Sequence, residues 1–359
     1  MHSAFVLLTT VLLLVASTAC HKGGESGGRA RSGGPIRVGL SFDSLLLERW
    51  QHDRDAFVAR AQALGAEVLV QSADGNDAVQ IRQCENLLTS GVHVLVVIPH
   101  NGEVMASAVS SAKAHGVPVL SYDRLVRNSD LDLYISFDNE LIGELQARYL
   151  LDRAPKGNYI LIGGSPTDNN AHLVREGQMH LLKPAVDRGD IRIVGDQWAR
   201  DWLPSEALRH TENALTRANN QVVAVVTSND STAGGAIQAL QEQKLAGKVL
   251  VSGQDADLAA AQRIAAGTQS MTVYKPVVRL GTKAAEAAVA LAKGDALETN
   301  QTVNNGRKEV PAILLQPIVV DQSNLVSTVI KDGFLKMEDV YRDIPRSQWP
   351  RGQPWSSPP

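Results

Sequence analysis

The chain is an α/β protein by its pattern, expected to fold as two similar parallel-sheet lobes, and three features of its 359 residues carry that expectation. Short β-branched runs alternate with helical stretches, the mark of parallel strands buried on both faces. The alternation occurs twice in succession, over roughly 36–136 and again over 159–252. Four of the apolar runs also end alike, on acid, amide and guanidinium side chains. Val119-Leu120-Ser121-Tyr122 leads into Asp123-Arg124, and 159–162 passes Gly163-Gly164 into Asp168-Asn169-Asn170. The run 222–226 reaches Asn229-Asp230, and 249–251 reaches Gln254-Asp255. Ligands of open α/β sheets sit at the carboxyl ends of the strands. Asp and Asn there also suit helix N-caps, and each position alone is open to either reading. The repetition favours a site that hydrogen-bonds a small polyhydroxylated molecule.

Residues 1–20 read as a targeting segment. The apolar stretch 5–16 is too short to span a bilayer, and Val15-Ala16-Ser17-Thr18-Ala19-Cys20 resembles a bacterial lipoprotein signal. That resemblance implies lipidation of Cys20; a plain secretory signal cut nearby is the alternative. Residues 21–35, rich in Gly, Ser and Arg, have little to bury and form a tether. Random-coil scaling gives it a reach of roughly 20 Å.

A first strand at 36–41 precedes a helix at 46–64, with Trp50, Phe57, Ala61 and Leu64 on one face and Gly65 as its stop. Strands follow at 67–71, 94–98, 117–122 and 133–136, separated by helices at 77–89 and 103–114. This βαβ order requires right-handed crossovers and a parallel sheet covered on both sides. A helix at 140–153 opens the second series. Its strands fall at 159–162, 191–194, 222–226 and 249–252, and its helices at 171–186, 205–218, 232–243 and 258–266. A strand at 271–274, an Ala-rich helix at 278–293 and an apolar stretch at 310–320 complete the body. Residues 336–359 carry five prolines and little apolar period, and disorder is expected there. Cys84 falls on an apolar helical stripe with Ile81 and Leu88 and reads as a buried free thiol.

Composition narrows the function. Apolar content of 44% and charged content of 20% describe a globular body, and a net charge of −3 argues against nucleic acid as a partner. No phosphate loop, dinucleotide fingerprint or nucleophile elbow is present. The nine histidines show no zinc-ligand spacing. Asp255 with Asp257 could pair as carboxylates, but that spacing at a helix start more often means capping. No enzyme, cofactor or metal is expected.

Seven stretches carry a more specific signal: Leu47-Glu48-Arg49-Trp50-Gln51, YISFDNE at 134–140, GGSPTDNN at 163–170, GDQW at 195–198, SNDSTAGGAIQAL at 228–240, SGQDADLA at 252–259 and RIAAGTQSMTVYKP at 263–276. Through them the chain resembles the periplasmic D-xylose-binding proteins of ABC sugar importers, over about 36–334. The resemblance implies the type I periplasmic-binding fold, two α/β lobes joined by three crossovers and closing on ligand. It implies an N-terminal lobe of 36–141 plus 276–308 and a C-terminal lobe of 142–275 plus 309–335, with the strand near Val310 in the second. Motif by motif, it implies sugar contacts from Arg49, Asp123, Arg124, Asn170, Trp202, Asn229, Asp255 and Lys275. Trp202 would face the C–H side of a pyranose, and Phe42 is placed to do the same from the first lobe. A pocket walled by Trp202, Asn170 and the loop around Phe42 should leave little room opposite C5, which favours pentoses. The expected function is capture of D-xylose or a close pentose outside the cytoplasmic membrane by a monomer, and delivery to ABC permease subunits. A sugar-responsive repressor of the same fold is disfavoured, because a signal and tether occupy the place of its DNA-binding segment. A sensor subunit and an exported sugar-active enzyme are the remaining alternatives.

Overall fold

The computed structural model describes residues 34–350; Cys20, the tether up to residue 33 and Trp355 lie outside them. In chain order, β1 (Ile36–Phe42), α1 (Glu48–Ala63), β2 (Ala66–Ser72), α2 (Asp77–Thr89), β3 (Val94–Val97), α3 (Ala106–Ala114), β4 (Val119–Tyr122) and β5 (Leu133–Phe137) begin the first lobe. The second lobe follows with α4 (Asn139–Arg153), β6 (Gly157–Gly163), α5 (Asn169–Asp187), β7 (Ile191–Trp198), α6 (Pro204–Arg217), β8 (Ala224–Thr227), α7 (Asp230–Glu242), β9 (Leu250–Val251), α8 (Leu258–Ala265) and β10 (Thr272–Tyr274). The chain closes with α9 (Val277–Lys293), β11 (Gln301–Asn304), β12 (Glu309–Leu315), β13 (Ile318–Val320) and α10 (Met337–Val340).

The first sheet has the order β11-β12-β5-β4-β3-β1-β2 and is parallel except for the edge pair β11–β12. Its unbroken apolar strands are explained by burial on both faces. In β3, Val94 and Val96 pack with Trp50, Phe57 and Ala61 of α1 and Leu280 and Ala284 of α9. Leu95 and Val97 face the other way, against Cys84, Leu88 and Val109 of α2 and α3. The second lobe repeats this with the parallel sheet β7-β6-β8-β9. Ile160 and Ile162 of β6 join the α6–α7 side, while Tyr159 and Leu161 join the α4–α5 side.

Helix starts follow local chemistry. Asn76 accepts a hydrogen bond from Val79 N, Asp138 from Leu141 N, Asp168 from Asn170 N and Asn229 from Thr232 N. The capping reading of the strand-end amides and acids is therefore correct for Asp168 and Asn229.

Three expectations need correction. The strand near Val310 belongs to the first lobe: β12 runs parallel to β5, pairing Ala312 with Tyr134 through Leu315 with Phe137. Without it β5 would be an unpaired edge, and Val310 and Ala312 fill the α2–α3 side of that lobe's core. The chain crosses back only at Gln316-Pro317, and β13 then pairs antiparallel with β10. The first crossover likewise lies at Asp138, the cap of α4, rather than at 141. Finally, residues 336–350 of the supposed disordered tail are packed. Leu335, Met337, Val340, Tyr341 and Trp349 cover Ile264 and Ala265 of α8 and Tyr274 of β10. Trp349 Nε1 donates to Ile344 O at 2.8 Å, a bond within the segment, while the apolar packing holds the segment to the body. The prolines suggested a solvated chain, but Met337, Val340, Tyr341 and Ile344 ahead of Pro345, with Trp349 after it, pack in the cluster with α8.

Candidate functional site

Every strand end of the opening pattern meets in one crevice between the lobes. Arg49 and Trp50 come from the first turn of α1, and Asp123 and Arg124 follow β4. Across from them stand Asp168 and Asn170 at the start of α5, Trp202 ahead of α6, Asn229 capping α7, and Gln254 and Asp255 after β9. Lys275 follows β10 at the second crossover, and Leu47 and Asn139 complete the lining. The eight polar and indole residues singled out by motif thus converge; Phe42 does not. Its ring is 1% exposed and sits in the first-lobe core, edge-on to Trp50 with centroids 6.2 Å apart. Phe42 shares the core side of β1 with Val38 and Leu40 and backs the indole of Trp50. That indole is the first-lobe aromatic wall.

Arg49 is the hub. Its Nη2 lies 2.7 Å from Asp123 Oδ2, its Nε 3.1 Å from Asp53 Oδ2, and its Nη1 3.4 Å from Asp255 Oδ1 of the other lobe. Lys275 Nζ holds the same Asp255 oxygen at 2.9 Å. Arg124 makes a second hub, 2.7 Å from Asp43 Oδ2 and, across the crevice, 2.8 Å from Asp168 Oδ2. Asn170 Nδ2 donates to Asp123 O at 2.9 Å. Trp202 Nε1 donates to Asp168 Oδ2 at 3.2 Å. Both guanidinium groups also lie over the Trp50 ring, at 4.3 and 5.3 Å from its centroid.

Burial and charge compete at each carboxyl. Burial pushes the Asp123 carboxyl up, but Arg49 and Lys275 more than offset it and leave its pKa lowered. Burial wins at Asp53 and Asp168, whose pKa values are raised despite Arg49 and Arg124. Tyr122 OH donates to Asp53, which keeps that acid turned to Arg49 from behind.

Backbone strain is concentrated at the crevice. Asp123, Asp201, Trp202, Asp255 and Ala256 all have positive φ, with Asp255 at 101°. Non-glycine residues in such conformations cost about 1–3 kcal/mol each and persist where the surroundings impose them. Gly164 explains part of the sequence's Gly-Gly pair: a Cβ there would lie 2.1 Å from the Trp202 ring, so only glycine admits the indole. The space left among the lining side chains is about 20 Å³, room for about one water. A larger guest has to take the place of the direct pairs between the lobes.

Motif matching did not single out Trp50, Asp168, Gln254, Asn139 or Leu47. Asp168 and Gln254 already stood among the strand-end acids and amides. Trp50 looked like one more apolar residue on the α1 stripe, and its place beside Arg49 was the only clue to its second role.

Comparison with known proteins agrees with this geometry. Residues 38–296 match the family model described as the periplasmic binding protein domain. The D-xylose-binding periplasmic protein of Haemophilus influenzae is 58% identical over 306 residues, covering 85% of this chain and 92% of the relative. Its Escherichia coli K12 counterpart is 57% identical over 305 residues, with the same coverage. A solved carbohydrate transporter solute-binding protein from Chloroflexus aurantiacus, in complex with D-glucose, superposes with a TM-score of 0.79 at 32% identity. That match covers 85% of this chain and 97% of the other.

Proposed function

Because the chain belongs to the periplasmic binding protein family, we propose that it captures D-xylose, or a close pentose, in the interlobe crevice and delivers it to an ABC permease. It works outside the cytoplasmic membrane, as its periplasmic relatives do, and acts as a monomer. One observation carries the reading: three cations, their carboxylate partners and two indoles from both lobes converge in one crevice of a chain 57–58% identical to D-xylose-binding proteins. The solved relative holding D-glucose is more distant, at 32%.

The chemistry suits a pyranose. Asp123 and Asp255 accept from sugar hydroxyls, while Arg49, Arg124 and Lys275 donate to hydroxyl and ring oxygens as charge-assisted bonds. Asn170 and Asn229 can do both. Trp202 and Trp50 offer flat apolar faces to the C–H edges of the ring. Closure follows from the sharing of these groups between lobes. A sugar seated between Arg49 and Asp255 replaces one cross-lobe pair by several bonds to each side. It therefore stabilises the closed form over the open one and shifts the population.

Asp123→Ala and Asp255→Ala test the assignment. Each removes an acceptor for sugar hydroxyls and one carboxylate partner of the buried Arg49, and Asp255→Ala also takes the partner of Lys275, which costs about 2–5 kcal/mol of binding. D-xylose affinity should fall accordingly while circular dichroism stays that of the parent. Affinity within about threefold of the parent in both variants contradicts the site (less than ~1 kcal/mol).

The targeting segment supports a lipid anchor on Cys20, since the tether behind it is long enough to hold the body off a membrane. Mass spectrometry of the mature protein from a lipoprotein-competent bacterium should find an acylated Cys20 at the N-terminus. An unmodified N-terminus within 21–35 would instead mean a soluble exported protein.

A further inference from the structure

Asn229 and Asp255 reach the crevice on separate loops, and the pairing of β8 with β9 stops short of both. It joins only Ala224 to Leu250 and Val225 to Val251. Residues 226–228 and 252–254 then lead to the two site residues. Ser252 Oγ ties the loops early, accepting from Thr227 N at 3.0 Å and donating to Thr227 O at 3.0 Å. Nearer the site, one side chain from another element joins them. Gln146 of α4 donates through Nε2 to Gly253 O at 2.9 Å and to Ser228 O at 3.2 Å. These carbonyls belong to the residues immediately before Gln254 and Asn229. Gly253 O also accepts from Val273 N, at 3.0 Å, in the strand β10 that leads to Lys275.

The amide is held in turn. Gln146 Oε1 accepts from Gln178 Nε2 of α5 at 2.8 Å, and Gln178 Oε1 accepts from Arg175 Nε at 3.1 Å. Arg175, at the end of this chain of amides, is paired with Asp196. Both glutamines are fully buried. Gln146 uses both of its donors and its acceptor, a set that no other side chain of its length offers. Glutamate lacks the donors, methionine lacks all three groups, and asparagine is one methylene short. An apolar side chain would pack α4 equally well; the amide answers the two carbonyls that turn inward there. Gln146 does not line the crevice, so its effect on a ligand passes through the loops.

We propose that Gln146 is a positioning residue for sugar capture, a buried staple that sets the spacing of Asn229 and Asp255 and ties both to α4. The proposal rests on the D-xylose reading and deepens it. Helix α4 starts from Asp138, the first passage between the lobes, and its first turn brings Asn139 into the crevice. The staple makes one unit of the helix that enters the second lobe and the two loops that meet the sugar. As the lobes close, Asn229 and Asp255 reach the ligand at a set separation, and little loop ordering is left to oppose binding.

Calorimetric titration with D-xylose tests this in the mature parent, Gln146→Met, Gln146→Glu and Leu215→Ala, with circular dichroism showing which variants are folded. Leu215 is buried on the α6–α7 side of the same lobe and outside the crevice lining. Its truncation lowers stability through lost packing and so controls for destabilisation. Gln146→Met should weaken D-xylose about tenfold or more, while Leu215→Ala stays within about twofold of the parent. Gln146→Glu should be as weak near pH 8 and recover toward the parent, at matched pH, by about pH 5.5, because a buried carboxyl takes up a proton and regains one donor. A purely structural role would lower the melting temperature of Gln146→Met and leave its affinity alone. Affinity of folded Gln146→Met within about twofold of the parent overturns the staple, and so does an equal loss in Leu215→Ala. If Gln146→Met does not fold, the pH profile decides, and a Gln146→Glu affinity that tracks the parent throughout overturns it. Failure of the parent to bind D-xylose overturns the site reading, and the positioning role with it.

Discussion

Behind Asp255, which lines the crevice, stands the carboxyl of Asp230, only 1% exposed. Asp230 accepts from Gln269 Nε2 at 2.7 Å, Thr272 Oγ1 at 2.9 Å and Asp257 N at 3.1 Å. Burial is the main reason its pKa is pushed up to about 7; Asp255 adds to the rise and Arg263 opposes it. A carboxyl whose folded pKa exceeds its unfolded value binds more protons in the folded state. Its contribution to stability is full below the ordinary carboxyl value of 3.8 and is lost as pH rises through about 7. In Asp230→Asn that dependence disappears. The melting temperature of the variant, read against the parent, should gain ground as pH rises from about 4 to about 8. A pH-independent difference would contradict the raised pKa. Most charged residues of the candidate site were legible because Asp123, Arg124, Asp255 and Lys275 follow strand ends, and Arg49 because it lies in a matching stretch at the start of α1. Phe42 and Trp50 were not. Two aromatics at the end of β1 and the start of α1 satisfy the same pattern, and only their packing decides which lines the crevice and which supports it.

Helix contacts set how well the second lobe can act as one jaw. Helices α4 and α5 meet backbone to backbone at two glycines. A Cβ on Gly143 would lie 2.0 Å from Val174 O, and one on Gly177 would lie 1.9 Å from Glu140 O. Glycine to alanine inside a helix ordinarily gains roughly 0.5–1 kcal/mol. Here the sign reverses, because the two helices would have to part. Gly143→Ala and Gly177→Ala should each destabilise by about 1–3 kcal/mol or more in chemical denaturation; a gain in either would contradict the close packing. Element positions were readable along most of the chain: α2 has the bounds its period suggested, and most other ends moved by one or two residues as caps and edge pairing dictated. The close α4–α5 approach was not, since two glycines nearly a whole βα unit apart carry no local mark of their contact.

At the scale of the molecule, the chain passes between lobes at Asp138, at Lys275-Pro276 and at Gln316-Pro317, and the crevice sits where these passages let two strand-end clusters face each other. The double α/β series made the two lobes legible, and resemblance added the three crossovers. The third was misplaced because β12 and β13 form one nearly continuous apolar stretch. Whether its first half joins β5 or β10 depends on which sheet has an open edge, a non-local fact. The packed segment 336–350 escaped for a similar reason, since its partner is α8, some 80 residues earlier. On the proposed pentose reading, the hydroxymethyl group that a hexose adds at C5 has to fit among Trp202, Trp50 and Asn170, and a hydroxyl stranded there would cost about 1–3 kcal/mol. The most direct measurement is calorimetric titration of the mature chain with D-xylose and, in competition, D-glucose. One D-xylose should bind per chain, with D-glucose weaker by about tenfold or more, the equivalent of ~1.4 kcal/mol. Equal affinity for the two sugars, or no binding of D-xylose at all, would contradict a crevice built for the pentose.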